Sequence, residues 1–470
     1  MTTQPVSVHP PAAQSLSFVI LIASAAALGG FLFGFDTAVI NGAVVALRNE
    51  FAASSWQVGL SVSLALLGSA VGAFFAGRLA DLWGRVRVMQ LAAFLFLISA
   101  IGSGLPFGLA DFIFWRFLGG MGVGAASIIA PAYIAEVSPA DYRGRLGSLQ
   151  QLAIVIGIFI ALLSNYGLAV AAGSAEAPLW FGFEAWRWMF WSEAPAALVY
   201  GICAFMIPES PRYLVAQGRD AEAAAVLERV LAGDIRAKVD EIRHTIHRAH
   251  KPRLSDLRGR LGLLPIVWVG MGLAAFQQFV GINVIFYYGS SLWRVVGFTE
   301  ESALIITVIT GFTNIVTTLV AIACIDKFGR KPLLLFGSVG MLITLGIMAW
   351  VFGTATFDAQ GAPRLTESMG MLALIAANAY VFCFGFSWGP VMWVLLGEMF
   401  NNTIRAAALA VAGAVQWIAN FLVSTTFPPM ADGLGLDVSY GIYATFAALS
   451  FLFVVIFVRE TRGKELEEME

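Results

Sequence analysis

The chain has 470 residues, 59% of them hydrophobic and only 12% charged, with a mean hydropathy of +0.80. A soluble domain carries roughly 25% charged residues, so a water-soluble globule, and with it a disordered chain, is excluded. The 28 basic and 30 acidic residues nearly cancel, so net charge suggests no nucleic-acid partner. Forty-eight glycines and 37 phenylalanines fit a polytopic membrane protein, where small residues let helices approach and aromatic residues face lipid.

The N-terminal stretch MTTQPVSVHPPAAQS has no lysine or arginine before the first apolar run, so it lacks the basic region of a cleaved signal peptide and the first run is expected to stay as a span. Apolar runs of about 20 residues predict twelve spans. They begin near Leu16, Gln57, Val88, Asp111, Leu149, Trp186, Leu263, Ser302, Pro332, Gly370, Ala406 and Ser439. Between the sixth and seventh lies one long polar stretch, from about Glu209 to Gly262, whose charges recur at helical spacing and predict one or two short surface helices. The expected organisation is an all-α polytopic membrane protein: a six-helix bundle over 1–208, a linker over 209–262 and a second six-helix bundle with its tail over 263–470.

Internal repeats support two halves. Asp81, Gly84 and Arg85 recur as Asp326, Gly329 and Arg330, all 245 positions later. Glu136 and Arg143 recur as Glu398 and Arg405 after 262 positions, and Glu209 of PESPR recurs as Glu460 of RETRG after 251. Of the 28 basic residues, 23 fall in loops after even-numbered spans or in the tail. The positive-inside bias therefore puts both termini and the linker in the cytoplasm. Asn401, the sole glycosylation acceptor pattern, falls on that inner side.

Three side chains bring charge into apolar runs, where insertion costs about 2.5–3.5 kcal/mol each. These are Asp36 in GFLFGFDTAVING, Arg116 in FIFWRFLGG and Glu193 in WRWMFWSEAP. A carboxylate beside a cation ionises readily, and one that loses its cation in a dry site takes up a proton, so the trio reads as a proton switch or as a fixed ion pair that orients helices. Gln151, Gln277, Gln278, Asn283, Asn314, Gln416 and Asn420 place amides in otherwise apolar spans, each offering donor and acceptor. With Arg116 already offset by two acids, the expected ligand is neutral and polyhydroxylated. Gln277 and Tyr288 lie eleven residues apart, close to three helical turns, and Asn283 and Tyr287 one turn apart, so they are expected to line one cavity. Trp393 and Trp417 offer flat apolar faces for the C–H face of a pyranose.

Other features take plainer readings. Cys203, Cys324 and Cys383 lie in or beside apolar runs and read as small hydrophobes. His244, His247 and His250 repeat every third residue among basic residues and read as a solvated face, with no metal or cofactor expected. The glycines of FLGGMGVGA follow no strand, which points to close helix packing instead of nucleotide binding. No nucleophile, base and orienting group occur together in the spans, so no enzyme activity is expected. Glu136, Arg143, Arg85 and Glu209, with Glu398, Arg405, Arg330 and Glu460, are expected to form a cytoplasmic gate whose pairs join the bundle ends when the site opens outward and break when it opens inward.

In order, GRLADLWGR, PESPR, QQFVGINVIFYYG, DKFGRKPL, GPVMW and ETRGKELEE make the chain resemble the sugar porters of the major facilitator superfamily over nearly its whole length. Arg459 departs from the proline that the family carries before Glu460. The resemblance implies two pseudo-symmetric bundles working by alternating access in a plasma membrane, such as a bacterial inner membrane, with no obligatory protein partner. It further implies protonation at Asp36 paired with Arg116, hexose binding by the amides and tryptophans, and proton-coupled import of a hexose. Ile158, apolar where xylose-preferring relatives carry glutamine, leans toward glucose. A facilitator without proton coupling and a transport-dead sugar sensor are the alternative readings.

Overall fold

A computed structural model describes residues 13–139, 142–231, 234–248, 254–260, 262–357, 363–401 and 404–460. Twelve of its helical segments are long and apolar enough to cross a membrane, each starting within about a turn of its expected position. They run 20 to 35 residues, so several exceed the expected 20.

The first five spans are α1 (Ala13–Glu50), α2 (Ser55–Trp83), α3 (Arg85–Gly104), α4 (Leu109–Val137) and α5 (Arg143–Ala172). The sixth is broken into α6 (Ala185–Trp191) and α7 (Ala194–Met206). Three linker helices follow, α8 (Pro211–Ala216), α9 (Asp220–Val230) and α10 (Ile235–Arg248), where one or two were expected. The extra break comes at Gly218, whose φ of +72° ends α8. The seventh span is again two pieces, α11 (Pro265–Phe279) and α12 (Ile282–Val295), followed by α13 (Glu300–Phe328) and α14 (Arg330–Gly353). The tenth divides into α15 (Glu367–Phe386) and α16 (Trp388–Met399), and α17 (Arg405–Leu434) and α18 (Leu436–Phe457) complete the second six-helix bundle. Two-residue antiparallel pairs at 258–263 and 356–364 are the strands among the described residues.

Local chemistry explains where these helices start and how closely they pack. Ser54 and Gln57 form a capping box at the start of α2, and Thr299 and Thr366 hydroxyls cap α13 and α15. The α2–α4 contact is backbone against backbone: a Cβ on Gly120 would lie 1.9 Å from the Ala65 carbonyl oxygen, and one on Gly124 2.0 Å from that of Ser69. The FLGGMGVGA glycines thus serve close packing.

The repeated loop motifs become repeated structure. Gly84 and Gly329 take nearly the same backbone, φ +96° and +85° with ψ near 163°, and each opens a helix. At both places a distant carboxylate accepts from the first amides: Glu209 from Arg85 N at 2.9 Å, and Glu460 from Arg330 N at 3.0 Å and Lys331 N at 2.9 Å. Negative charge at a helix N-terminus satisfies otherwise unpaired N–H groups and complements the helix dipole.

Between described residues, the hydrogen bonds that join the bundles lie toward the end away from the termini. Asn41 on α1 donates to the carbonyls of Ile285 and Phe286 on α12, and its own carbonyl accepts from Ser290 Oγ. Arg48 pairs with Asp432 at 2.8 Å, Thr425 donates to Ser63, and Glu300 accepts from Ala175 N.

At the termini end, Arg85 and Arg330 each pair with an acid of their own bundle among the described residues. Arg85 donates through Nε and Nη2 to both Glu136 oxygens at 2.9 Å, and Arg330 does the same to Glu398 at 3.0 and 2.7 Å. The pairs described are therefore bidentate and lie within each bundle, α3–α4 and α14–α16. The physical reason is reach, since each arginine opens a helix whose own bundle neighbour carries the acid. Arg405 Nε donates to the Phe400 carbonyl, and the Arg143 side chain lies outside the described residues, as do the His247 side chain and His250.

Candidate functional site: a buried charge trio and an amide network

Asp36 on α1, Arg116 on α4 and Glu193 at the α6–α7 break are 1%, 2% and 0% exposed. Arg116 Nη1 donates to Asp36 Oδ1 at 2.6 Å and Nη2 to the Asp36 backbone carbonyl at 2.8 Å. The guanidinium carbon also stands 5.7 Å from the Phe190 ring centre. Gly119, one turn beyond Arg116, makes room for this approach, because a Cβ there would lie 2.3 Å from Ser99 Oγ and 3.1 Å from Asp36 Oδ1. The Glu193 and Asp36 carboxyls stand within hydrogen-bond reach of each other, and while both are ionised neither Glu193 oxygen nor Asp36 Oδ2 has a donor among the described residues. One guanidinium against two carboxylates leaves one unbalanced negative charge, which one added proton removes. The break in the sixth span delivers Glu193 to this point, with Pro195 in the first turn of α7, where a missing N–H costs nothing.

In the second bundle the amides bond one another. Gln277 Nε2 donates to the carbonyls of Trp388 and Gly389 at 3.1 and 3.2 Å, at the break of the tenth span. Gln277 Oε1 accepts from Gln416 at 2.8 Å and from Gln278 at 3.2 Å, and Gln278 Oε1 accepts from Asn283 at 2.7 Å. Asn420 donates to Tyr287 Oη at 3.4 Å and accepts from Ser424. Gln277, Gln278, Asn283 and Gln416 thus form one chain of amides drawn from α11, α12 and α17.

The expected shared face of Gln277 and Tyr288 does not form. The seventh span breaks at Val280–Gly281, where Gly281 has φ +83°, so the count of helical turns between the two fails. Tyr288 instead donates to the Ser424 carbonyl at 2.7 Å and ties α12 to α17. Tyr380 caps the same break by donating to the Val280 carbonyl.

Trp393 is 41% exposed, and Gln151 on α5 of the other bundle is exposed as well. Trp417 is half-buried with its ring 6.1 Å from Phe33 of α1, a contact between the bundles. Asn314 on α13 is half-buried near Gly385. Ile158 lies where α5 crosses Gly34 of α1: a Cβ on Gly34 would meet its backbone nitrogen at 2.9 Å. Sequence reasoning passed over Asn41, although a lone asparagine in the apolar run AVINGAVV was a visible signal. It also passed over Gln150, whose amide is buried beside Gly30. Among the described residues no group of three or more His, Cys, Asp or Glu side chains is arranged to hold a metal ion.

A buried charge trio in one six-helix bundle and an amide network in the other, each set at a helix broken within its span, define a secondary transporter. The family model for sugar (and other) transporters matches residues 22–470, and the chain belongs to that family of the major facilitator superfamily. It is similar to a glucose transport protein of Synechocystis sp., 68% identical over 457 residues that cover 97% of each chain. It is also similar to the D-xylose-proton symporter of Escherichia coli K12, 38% identical over 487 residues, covering 97% of this chain and 95% of the relative. Among solved structures, the inward open conformation of the xylose transporter XylE from E. coli superimposes with a TM-score of 0.82 at 36% identity, covering 97% and 99% of the two chains. The same transporter bound to 6-bromo-6-deoxy-D-glucose gives 0.75 at 36% identity over the same shares.

Proposed function

We propose that the chain imports a hexose, glucose first, together with a proton by alternating access. The carrying observation is the separation of chemistries. A buried acid–arginine–acid trio short of one positive charge sits in one bundle, and a neutral amide network sits in the other. The 68% identity to a glucose transport protein favours glucose, and the identity to a proton symporter favours coupling.

In this reading Asp36 or Glu193 carries the proton, and Arg116 pairs with the carboxylate that is left ionised. Gln151, Gln277, Gln278, Asn283, Tyr287, Asn314, Gln416 and Asn420 meet the sugar hydroxyls, and Trp393 and Trp417 meet its apolar face. Tyr288 supports them through its bond to Ser424. The bundles over 1–208 and 263–470 act as the moving bodies and 209–262 as the linker. Both termini are assigned to the cytoplasm in accord with the basic residues at that end; the far end joined by Asn41 and Arg48, with Arg85 and Arg330 each held within their own bundle, supports an inward-facing reading. The pairs Arg85–Glu136 and Arg330–Glu398, the Glu209 and Glu460 caps, and Arg143 and Arg405 form the cytoplasmic gate elements.

The energetics suffice. One proton crossing about 100 mV yields about 2.3 kcal/mol and one pH unit about 1.4, together several-hundred-fold accumulation. The test is external alkalinisation when glucose is added to liposomes holding the purified protein at symmetrical pH. Alkalinisation that follows glucose and is absent with a non-substrate polyol supports symport, whereas glucose entry without proton movement makes the protein a facilitator. Glucose binding without entry makes it a sensor.

A further inference from the structure

A proton held by Asp36 or Glu193 touches neither aqueous side, because the trio is almost completely buried. Two more buried polar side chains of this bundle have no protein hydrogen-bond partner among the described residues: the Tyr200 hydroxyl and the Gln150 amide, the latter at both nitrogen and oxygen. Tyr200 is 0% exposed and Gln150 7%. Buried polar groups are nearly always satisfied, and where the protein supplies no partner an ordered water commonly does.

The positions of these two groups are specific. Tyr200 lies seven residues beyond Glu193 on α7, and Gly29 lies seven residues before Asp36 on α1. The two helices run in opposite directions, so both steps lead the same way, about 10 Å from the trio toward the termini end. A Cβ on Gly29 would lie 2.8 Å from Tyr200 Oη, and one on Gly30 would lie 2.8 Å from the nitrogen and the oxygen of the Gln150 amide. The two polar heads therefore press on adjacent residues of α1. Glycine at both positions lets these heads pack directly against the α1 backbone, where a Cβ would collide with them. Gln150 in turn precedes Gln151, which is exposed.

We propose that Tyr200 and Gln150 line a hydrated passage through which the proton moves between the Asp36–Arg116–Glu193 trio and the aqueous side at the termini end. The proposal rests on the symport reading above. In the release step the carboxylic acid gives its proton to a water, and the Tyr200 oxygen accepts a proton from that water chain while its own hydroxyl hydrogen passes onward. The tyrosine ends neutral, the carboxylate is left facing Arg116, and no electrons are transferred. Gln150 stays neutral throughout, its amide donating to and accepting from the water that it holds. Tyr200 acts in proton transfer and Gln150 positions the water.

The test compares two activities of the full-length protein in liposomes: glucose uptake driven by an imposed pH gradient, and exchange of labelled glucose at equal pH, in which the proton need not leave. Tyr200→Phe removes the hydroxyl and keeps the ring. Its gradient-driven uptake is expected to fall by at least about ten-fold. Its exchange is expected to stay within about two-fold of wild type, and its uptake to slow in heavy water more than its exchange does. Gln150→Leu is expected to show the same split at smaller size and decides the matter if Tyr200→Phe does not fold. Uptake preserved in the variants, or exchange falling in parallel with uptake, overturns the route while the symport reading stands. A wild-type protein that carries glucose without protons overturns the symport reading itself, and the route with it.

Discussion

The two bundles handle polarity in opposite ways. In the first, three ionisable side chains are buried with one cation for two anions, and three carboxylate oxygens lack donors among the described residues. In the second, neutral amides satisfy one another through Gln277, Gln278, Asn283 and Gln416. A neutral network can exchange its internal hydrogen bonds for those of a sugar without desolvating a charge. A charge trio short of one positive charge answers to a proton and has nothing to offer a hydroxyl that it would not offer water. The difference teaches that sugar recognition and proton coupling can be altered separately, and each variant below breaks or sharpens that division.

Arg116→Ala strikes the first bundle hardest. It leaves Asp36 and Glu193 buried without a cation, which costs about 3–5 kcal/mol. Loss of gradient-driven uptake with a marked drop in thermal stability is the expected result in a transport and melting assay. Gln277→Ala strikes the second bundle: it removes the acceptor shared by Gln278 and Gln416 and the donor to Trp388 and Gly389. Glucose binding measured by calorimetry is expected to weaken by about 10- to 100-fold, about 1.4–2.8 kcal/mol, with the proton-to-sugar ratio unchanged.

Gly119→Ala sharpens the comparison from the packing side. The added methyl would crowd Ser99 and Asp36, at a cost of about 1–3 kcal/mol, and coupling is expected to suffer more than sugar affinity. The smallest effect belongs to Arg48→Ala. Its pair with Asp432 is 44% and 41% exposed, so solvent screening holds its value to at most about 1 kcal/mol. A modest shift toward the state open at the far end, read as faster labelling of a reporter cysteine there, is expected, with both ligand affinities nearly intact.

Much of this was legible in the sequence. The twelve spans and the duplicated motifs show because apolar length and loop chemistry are local properties, and the trio shows because a charge inside an apolar run stands out. The mid-span breaks did not show: Ser192–Glu193, Val280–Gly281 and Ser387 interrupt runs whose apolar character resumes on both sides, and only the backbone reveals the +83° φ of Gly281. That break is why the helical count from Gln277 to Tyr288 misled. The acids of the repeated motifs were found, but the sequence alone does not tell a pair within a bundle from one between bundles. Nor does it tell that Glu209 and Glu460 cap helices, because their partners are backbone amides more than 120 residues away in the chain. Gln150 was hidden by its neighbour, since two adjacent glutamines on one helix look alike until one is buried and the other exposed.

The division of labour is tested most directly by measuring glucose-induced proton uptake and labelled-glucose exchange side by side in liposomes for wild type and Asp36→Asn. Asparagine keeps the shape of the side chain and removes the titratable group. The account predicts that wild type takes up protons with glucose, while Asp36→Asn loses proton uptake and still exchanges glucose. Loss of exchange together with proton uptake, or proton uptake that persists in Asp36→Asn, would contradict it.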